Sequence, residues 1–105
     1  MTMFQCQIEL EGSTPTLHLV GEFDILTANA ISATHAALLA HPATVVDVEC
    51  SRVTFFDCSA LSALIELGTS ARAAGKSIRL RSVPSCMQRV LALTAPHTNF
   101  DLDPA

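Results

Sequence analysis

Apolar and polar residues alternate in two segments near the start of the chain. The apolar positions are Phe4, Cys6, Ile8 and Leu10 in the first segment, and Leu17 and Leu19 in the second. A period of two is typical of strands that have one buried face. Residues 11–15, which include a glycine and a proline, predict the turn between them. We therefore expect a β-hairpin with one buried face.

The next segment carries apolar residues at helical spacing. Residues 25–39 are rich in Ala, Leu and Ile, and they predict one helix. Asp24 or Thr27 is suited to cap its start. His41 precedes a proline, and this position disfavours helical backbone, so the helix is expected to stop there.

A dense β-branched run follows, and then a second helical pattern. Residues 44–56 are typical of a central strand that is covered on at least one face. The helical pattern opens at Leu61 and repeats at Leu64, Ile65 and Gly68. Gly75 is placed to end this helix.

The last third of the chain predicts a strand, a short helix and an edge strand. Residues 77–83 alternate again, with Arg79 and Arg81 on the wet face. A short helix begins at Ser82 or Ser85 and ends before Pro96. Residues 99–102 are expected to form an edge strand.

This order of elements predicts an α/β fold in a single domain that spans residues 1–105. A chain of this length can bury about two-thirds of its unfolded surface, which is enough for independent stability. The formal net charge is −4, and the six Lys and Arg residues are scattered. This argues against a nucleic-acid partner. No apolar run reaches the roughly 18 to 20 residues needed to cross a bilayer, so no membrane association is expected.

Neither the cysteines nor the histidines have the spacing of metal ligands. Zinc sites use ligand pairs two to four residues apart, and no such pair of cysteines occurs. Neither a metal nor a cofactor is therefore expected. The N-terminus lacks the pattern of a signal peptide, which indicates a cytoplasmic protein. Cys6, Cys50 and Cys86 are expected to be small core residues. The four histidines are expected to lie at the surface or to be hydrogen-bonded in the core.

Four residues between the central strand and the second helix are the strongest candidate site. Asp57, Cys58, Ser59 and Ala60 form a strand-to-helix turn, which is where small α/β domains place functional groups. Three interpretations are open: a phosphorylation switch, a thiol site, or a helix cap alone. The carboxylate of Asp57 is suited to cap the helix, and this role is compatible with the other two.

Four blocks of sequence carry a resemblance to a known family. They are residues 21–24 (GEFD), 45–48 (VVDV), 53–61 (VTFFDCSAL) and 89–94 (RVLALT). Together, and in this order, they resemble the STAS domain of bacterial anti-sigma factor antagonists. The resemblance spans nearly the whole chain, and the block at 53–61 is the most specific.

The resemblance implies a STAS-like single domain, a mixed four- to five-stranded β-sheet with three to four helices packed on it. It also implies a non-enzymatic regulator, a monomer or weak dimer, whose partner is an anti-sigma factor that is also a serine kinase. Binding frees a sigma factor, and phosphorylation of the antagonist by the bound kinase ends the interaction.

The family's phosphoacceptor position falls on Cys58. A thiol does not form the stable phosphate ester that a serine hydroxyl forms, so we expect the usual modification to be absent. Ser59 carries a hydroxyl, but one step along a helix rotates the group by about 100°. A kinase that needs in-line geometry is therefore poorly placed to reach it. Ala60 replaces the family's glycine.

The resemblance also implies a partner-binding surface made by two segments. These are Glu22, Phe23, Asp24 and Ile25 after the second strand, and Asp57, Cys58, Ser59, Ala60 and Leu61 at the turn. An exposed Phe23 beside acidic groups would favour an interaction patch.

Two other functions stay open. One is a thiol-based redox sensor that uses Cys58. The other is a small-ligand-binding STAS module or a small thiol enzyme. A pocket that contains Cys58 and a histidine, such as His18 or His35, would favour the thiol enzyme.

Overall fold

Strands and helices alternate along the parts of the chain that the structure describes, residues 3–93 and 100–102 of a computed structural model. The strands are β1 (Phe4–Glu9), β2 (Thr16–Phe23), β3 (Val45–Phe56), β4 (Ser77–Arg81) and β5 (Phe100–Leu102). The helices are α1 (Ala28–Ser32), α2 (His35–Ala40), α3 (Cys58–Ala73) and α4 (Ser85–Leu91). The predicted α/β class is confirmed.

The five strands form one mixed sheet in the order β1-β2-β3-β4-β5. β1 pairs antiparallel with β2, and the other three pairings are parallel. Each parallel connection steps in the same direction across the sheet. Because such crossovers are almost always right-handed, the intervening helices lie on the same face. Within residues 3–93 and 100–102 there are therefore two layers, a helical layer and a sheet whose other face, called the open face below, carries no helix.

The core lies between the helices and one face of the three central strands. Buried side chains recur at alternate positions in β2 and β4, as the period-two pattern requires. The helix α3 contributes the other half of the core. The largest fully buried apolar side chains are Leu17, Leu19, Phe23, Ile31, Leu38, Val46, Val48, Leu64, Leu67, Ile78, Leu80 and Met87.

The expectation of a buried face on the hairpin is correct for β2 but wrong for β1. Phe4 and Ile8 keep 45% and 38% of their surface exposed, and Leu10, just after the strand, keeps 43%. Only Cys6 is half-buried within β1. Pairing places Cys6 opposite Leu19 and Ile8 opposite Leu17, so these side chains lie on the helix-bearing side of the sheet. The helices pack over the more central strands and do not extend across β1.

The helix predicted over residues 25–39 is two short helices. α1 begins at Ala28, and α2 begins at His35. The break follows from Thr34, whose hydroxyl donates to the carbonyl oxygen of Ile31 at 2.7 Å. The backbone N–H of Thr34 also donates to this carbonyl, at 3.1 Å, which tightens the turn and interrupts the α-helical pattern.

Both ends of α3 have the caps that the sequence predicts. The helix begins at Cys58, three residues before the apolar periodicity opens at Leu61. At the other end, the N–H of Lys76 donates to the carbonyl of Ala71 at 2.8 Å, and Gly75 donates to Arg72 at 3.0 Å. This is a Schellman motif, which needs a left-handed residue, and Gly75 supplies it with a φ of 76°.

The remaining elements agree with the pattern. α4 begins at Ser85 and not at Ser82, whose φ of 55° is incompatible with a right-handed helix. β5 pairs with β4 at the sheet edge, as predicted for the last segment. Asn99, the first residue of the predicted strand, lies outside the described residues.

The open face of the sheet carries charged side chains, among them a buried carboxylate. Asp47 in β3 is 3% exposed. Arg79 in β4 contacts it through two hydrogen bonds, Nε to Oδ1 at 2.7 Å and a terminal nitrogen to Oδ2 at 2.9 Å. Arg81 lies 3.7 Å from Oδ2 of the same carboxylate. The two arginines therefore occupy the wet face as predicted, and Arg79 has a structural role there.

None of the helices within residues 3–93 and 100–102 combines the length and hydropathy of a membrane span.

Candidate functional site

The candidate site lies where the chain leaves β2 and β3. These neighbouring strands are parallel, so their carboxyl ends meet at the same edge of the sheet. The residue pair that ends the ladder is Phe23 and Phe56. Immediately after it, the backbone N–H of Asp57 donates to the carbonyl oxygen of Phe23 at 3.2 Å. The loop after β2 and the first turn of α3 are therefore held side by side.

Asp57 caps the first turn of α3. Its Oδ1 accepts from the backbone N–H of Ser59 at 2.9 Å and from that of Ala60 at 3.1 Å. These are two of the N–H groups that a helix start leaves without intrahelical partners, and a carboxylate there also lies at the positive end of the helix dipole. The predicted cap is confirmed.

Thr27 organises the loop between β2 and α1. Its buried hydroxyl donates to the carbonyl of Glu22 at 3.1 Å and accepts from the N–H of Asp24 at 2.9 Å. Oδ1 of Asp24 in turn accepts from the N–H of Leu26 at 2.9 Å. Thr27 stands at the N-cap position of α1, but its side chain makes no bond to that helix. It closes the preceding loop instead.

This closed loop holds two large apolar side chains in solvent. Ile25 is 74% exposed and Leu26 is 80% exposed. Phe55, which pairs with Glu22 near the end of the β2–β3 ladder, is 47% exposed. Single exposed apolar residues are ordinary, but several at one sheet edge are typical of interaction sites. We call Glu22, Asp24, Ile25, Leu26, Phe55, Asp57 and Cys58 the loop-end surface.

Several residues expected to bind a partner are on this surface. Cys58 is exposed, and Asp57, Glu22 and Asp24 are half-buried. Ser59, another expected residue, is half-buried beside Cys58. Ser59 and Cys58 follow each other in the first turn of α3, so their side chains point in different directions.

Three other predicted partner-binding residues have no accessible side chain. Phe23 is fully buried, Ala60 is fully buried, and Leu61 is 3% exposed. Phe23 is not exposed, so the condition under which it would favour an interaction patch is not met. Its ring lies in the core and makes an edge-on contact with the ring of Phe4, with 6.2 Å between centroids. Phe23, Ala60 and Leu61 therefore belong to the core next to the loop-end surface.

Sequence reasoning missed Leu26 and Phe55 as surface residues. The signal was present in both cases. Leu26 directly follows Ile25, which the sequence already assigns to the partner-binding surface. Phe55 alternates with the buried Phe56, so the two rings face opposite sides of the sheet.

The four thiols differ sharply in their surroundings. Cys58 is exposed, Cys6 and Cys86 are half-buried, and Cys50 is buried. Burial raises the pKa of Cys50 to about 12 and that of Cys6 to about 11, so both stay protonated at neutral pH. Cys50 and the partly covered Cys6 and Cys86 contact the apolar core, as the sequence predicts.

The histidines do not form a thiol site with Cys58 in the described hydrogen-bond network. His18 bonds to Oε1 of Glu9 at 2.9 Å. A groove of about 850 Å³ includes His18 and Arg52 in its lining but not Cys58. His35 has a buried Nε2 with no hydrogen-bond partner among the residues described, which differs from the expectation of a satisfied group. Within residues 3–93 and 100–102, no group of three His, Cys, Asp or Glu side chains is placed to hold a metal ion.

A family model described as "Mlab, STAS domain" matches residues 6–98. The chain belongs to the STAS domain family. The resemblance carried by the four sequence blocks is thereby confirmed at the level of the domain. No curated protein matches this STAS domain in sequence.

Solved structures of anti-sigma factor antagonists share the fold of this STAS domain. The unphosphorylated form of SpoIIAA superposes with a TM-score of 0.73 at 18% identity, over 96% of this chain and 89% of that chain. An antagonist from Mycobacterium paratuberculosis gives 0.73 at 20% identity, over 98% and 87%. The phosphorylated form of SpoIIAA from Bacillus gives 0.72 at 18% identity, over 94% and 91%. These likenesses establish the STAS fold.

Proposed function

We propose that this STAS domain is a non-enzymatic regulatory module of the anti-sigma factor antagonist type that acts in the cytoplasm. It binds an anti-sigma factor that is also a serine kinase, and so frees a sigma factor. The observation that carries the proposal is the pair Ile25 and Leu26, which stands 74% and 80% exposed on a closed loop beside the first turn of α3. The structural neighbours, which are named as anti-sigma factor antagonists, support the same class.

The chemistry of the loop-end surface specifies the partner. Its apolar side chains, Ile25, Leu26 and Phe55, are suited to fill a pocket at the centre of an interface. The carboxylates of Glu22, Asp24 and Asp57 belong to the same segments of the chain. A partner that fits this surface has an apolar groove with basic groups at its rim.

The switch is expected to differ from that of antagonists with a serine at the acceptor position. Cys58 stands there, and its thiol does not form a stable phosphate ester. The neighbouring Ser59 is half-buried, and its side chain points in a different direction from that of Cys58 in the first turn of α3. We therefore propose that the kinase binds this domain without releasing it by phosphorylation.

Two variants with the same change of charge test the surface. Leu26→Lys places a cation in the proposed contact, and Leu93→Lys makes the same change at a side chain that is 73% exposed after α4. We expect Leu26→Lys to weaken binding to the anti-sigma factor by about tenfold or more, with Leu93→Lys close to wild type. If the two variants bind the anti-sigma factor with equal affinity, the loop-end surface is not the binding site. Calorimetric titration measures both.

A redox-sensing role for Cys58 is the second candidate. Its support is that Cys58 is the exposed thiol of the four, while Cys50 and Cys6 are held protonated by burial. In this role peroxide would convert the thiol to a sulfenic acid, and dithiothreitol would restore it. Partner affinity should then fall with peroxide and recover with the reductant. A Cys58→Ser variant that responds to peroxide as the wild type does would exclude Cys58 as the sensor.

A further inference from the structure

The outer edge of β1 has no partner strand within residues 3–93 and 100–102. β1 stands at one end of the five-stranded order, and β5 stands at the other. Natural proteins protect long edge strands with Lys, Pro, bulges or shortness. β1 has none of these protections: it is six residues long, contains neither Lys nor Pro, and pairs with β2 in an unbroken register.

The backbone groups that face this edge belong to the even-numbered residues. The carbonyl of Met3 accepts from the N–H of Glu22 at 2.8 Å, so Met3 bonds to β2. In an antiparallel ladder such bonded positions alternate, and Gln5 and Gln7 therefore also bond to β2. The N–H and C=O groups of Phe4, Cys6 and Ile8 point away from β2.

The side chains of the same even-numbered residues form an uncovered apolar strip. Phe4 and Ile8 are 45% and 38% exposed on the helix-bearing side of the sheet, and Cys6 is half-buried between them. The strip extends the apolar core onto β1, which the helices do not cover. Within residues 3–93 and 100–102, outward-facing backbone groups and partly exposed apolar side chains thus lie along the same edge.

From this edge we infer that the domain forms a symmetric dimer in which β1 pairs antiparallel with β1 of a second copy. A two-fold axis at Cys6 places Phe4 of each copy opposite Ile8 of the other. The outward backbone groups then pair with each other, and the apolar strips become continuous. Glu9, the one charged residue of β1, falls opposite Met3, so no like charges meet although each copy carries a net charge of −4.

The size of this contact predicts a weak dimer. Covering the exposed parts of these side chains and the strand edges would bury on the order of 1,000 Å² in total, the lower end of specific interfaces. Interfaces at this end of the range are typical of weak, transient complexes, so we expect the dimer to exchange with the monomer. The contact uses none of the residues that define the loop-end surface, and the inference does not depend on whether the domain binds an anti-sigma factor.

Sedimentation equilibrium of the wild type and two lysine variants tests the inference. Ile8→Lys places a cation in the strip, whereas Gln7→Lys makes the same addition of charge on the opposite face of β1. We expect a concentration-dependent wild-type dimer, a dissociation constant raised by about tenfold or more in Ile8→Lys, and a smaller change in Gln7→Lys. A wild type that stays monomeric up to about 1 mM would overturn the inference, as would equal effects of the two lysines.

Amide hydrogen exchange of the wild type gives an independent test that needs no variant. The N–H groups of Cys6 and Ile8 should be unprotected in dilute solution and become protected as the concentration rises. Those of Gln5 and Gln7, which bond to β2, should be protected at both concentrations. Protection of Cys6 and Ile8 that does not change with concentration would overturn the inference.

Discussion

The backbone N–H of Asp57 donates to the carbonyl oxygen of Phe23 at 3.2 Å, which joins the first turn of α3 to the end of β2. This bond places the cap of the longest helix beside the loop that exposes Ile25 and Leu26. The loop-end surface is therefore built by two segments that are far apart in sequence, and its shape depends on groups that are not themselves exposed.

Removing the cap should destabilise the domain by a modest amount. Asp57→Ala loses the bonds from Oδ1 to the N–H groups of Ser59 and Ala60. We expect a loss of about 1 kcal/mol in the free energy of unfolding, and a smaller loss in Asp57→Asn, whose amide oxygen can still accept. Urea denaturation measures both. Glu66→Ala, an exposed change within the same helix, is the control, and an equal loss there would show that the cap contributes nothing.

The loop that presents Leu26 depends on a hydroxyl. Thr27→Val keeps the shape of the side chain but removes the bond to the carbonyl of Glu22 and the bond from the N–H of Asp24. Because these groups are left without partners, the free energy of unfolding should fall by about 1 to 3 kcal/mol. Partner affinity should fall as well. Thr69→Val, at an exposed position of α3, should change neither, and no effect of Thr27→Val would mean that the loop does not need its hydroxyl.

The open face of the sheet is held by the pair of Asp47 and Arg79. Arg79→Ala removes both hydrogen bonds to a carboxylate that is only 3% exposed. We expect a loss of about 1 to 3 kcal/mol in the free energy of unfolding, since the buried charge keeps only the more distant Arg81.

The same pair gives a second readout in a double-mutant cycle. The cycle compares the single variants Asp47→Leu and Arg79→Leu with Asp47→Leu/Arg79→Leu, in which no buried charge is left uncompensated. The double variant should therefore be more stable than the sum of the two single losses predicts. Strict additivity would show that the two side chains act independently.

The buried thiol of Cys50 makes stability fall at high pH. Burial raises its pKa from 9.0 to about 12, so the folded state keeps the proton that the unfolded state loses above about pH 9. The contribution is complete below pH 9 and is lost as the pH rises toward 12. Cys6, with its pKa raised to about 11 by burial, acts in the same direction.

Cys50→Val tests this dependence. The slope of unfolding free energy against pH should be shallower than in the wild type by up to about 1.4 kcal/mol per pH unit above pH 9. Because the chain has no tyrosine or tryptophan, thiolate absorbance can be followed in the same samples. Parallel slopes for the two proteins would contradict the assigned burial of Cys50.

The sequence predicted the order of elements because the relevant information is local. Each of these signals determines the structure of residues that are close to it in sequence. Examples are the β-branched run of β3, the cap at Asp57 and the helix end at Gly75. The break between α1 and α2 was missed because it depends on one hydroxyl, that of Thr34, at a position that the apolar pattern treats as helical.

The candidate site was predicted in position but not in composition. Which side chains reach solvent depends on what covers each face, and this is a tertiary property. The alternation from Leu17 and Leu19 already placed Phe23 on the core side, although its acidic neighbours suggested a surface. The exposure of β1 was not predictable from the sequence. Its alternating apolar residues have the pattern of a buried strand, and only the tertiary structure shows that the helices do not cover them.

The kinase reaction tests the central claim most directly. Wild type and Cys58→Ser are incubated with the anti-sigma factor kinases of the source organism and ATP, and complex formation and phosphate content are measured by gel filtration and intact-protein mass spectrometry. We expect the wild type to form a stable complex with one of them and to carry no phosphate, while Cys58→Ser is phosphorylated at position 58 and released. Stoichiometric phosphate on Ser59 of the wild type, or no complex with any of these kinases, would contradict the account.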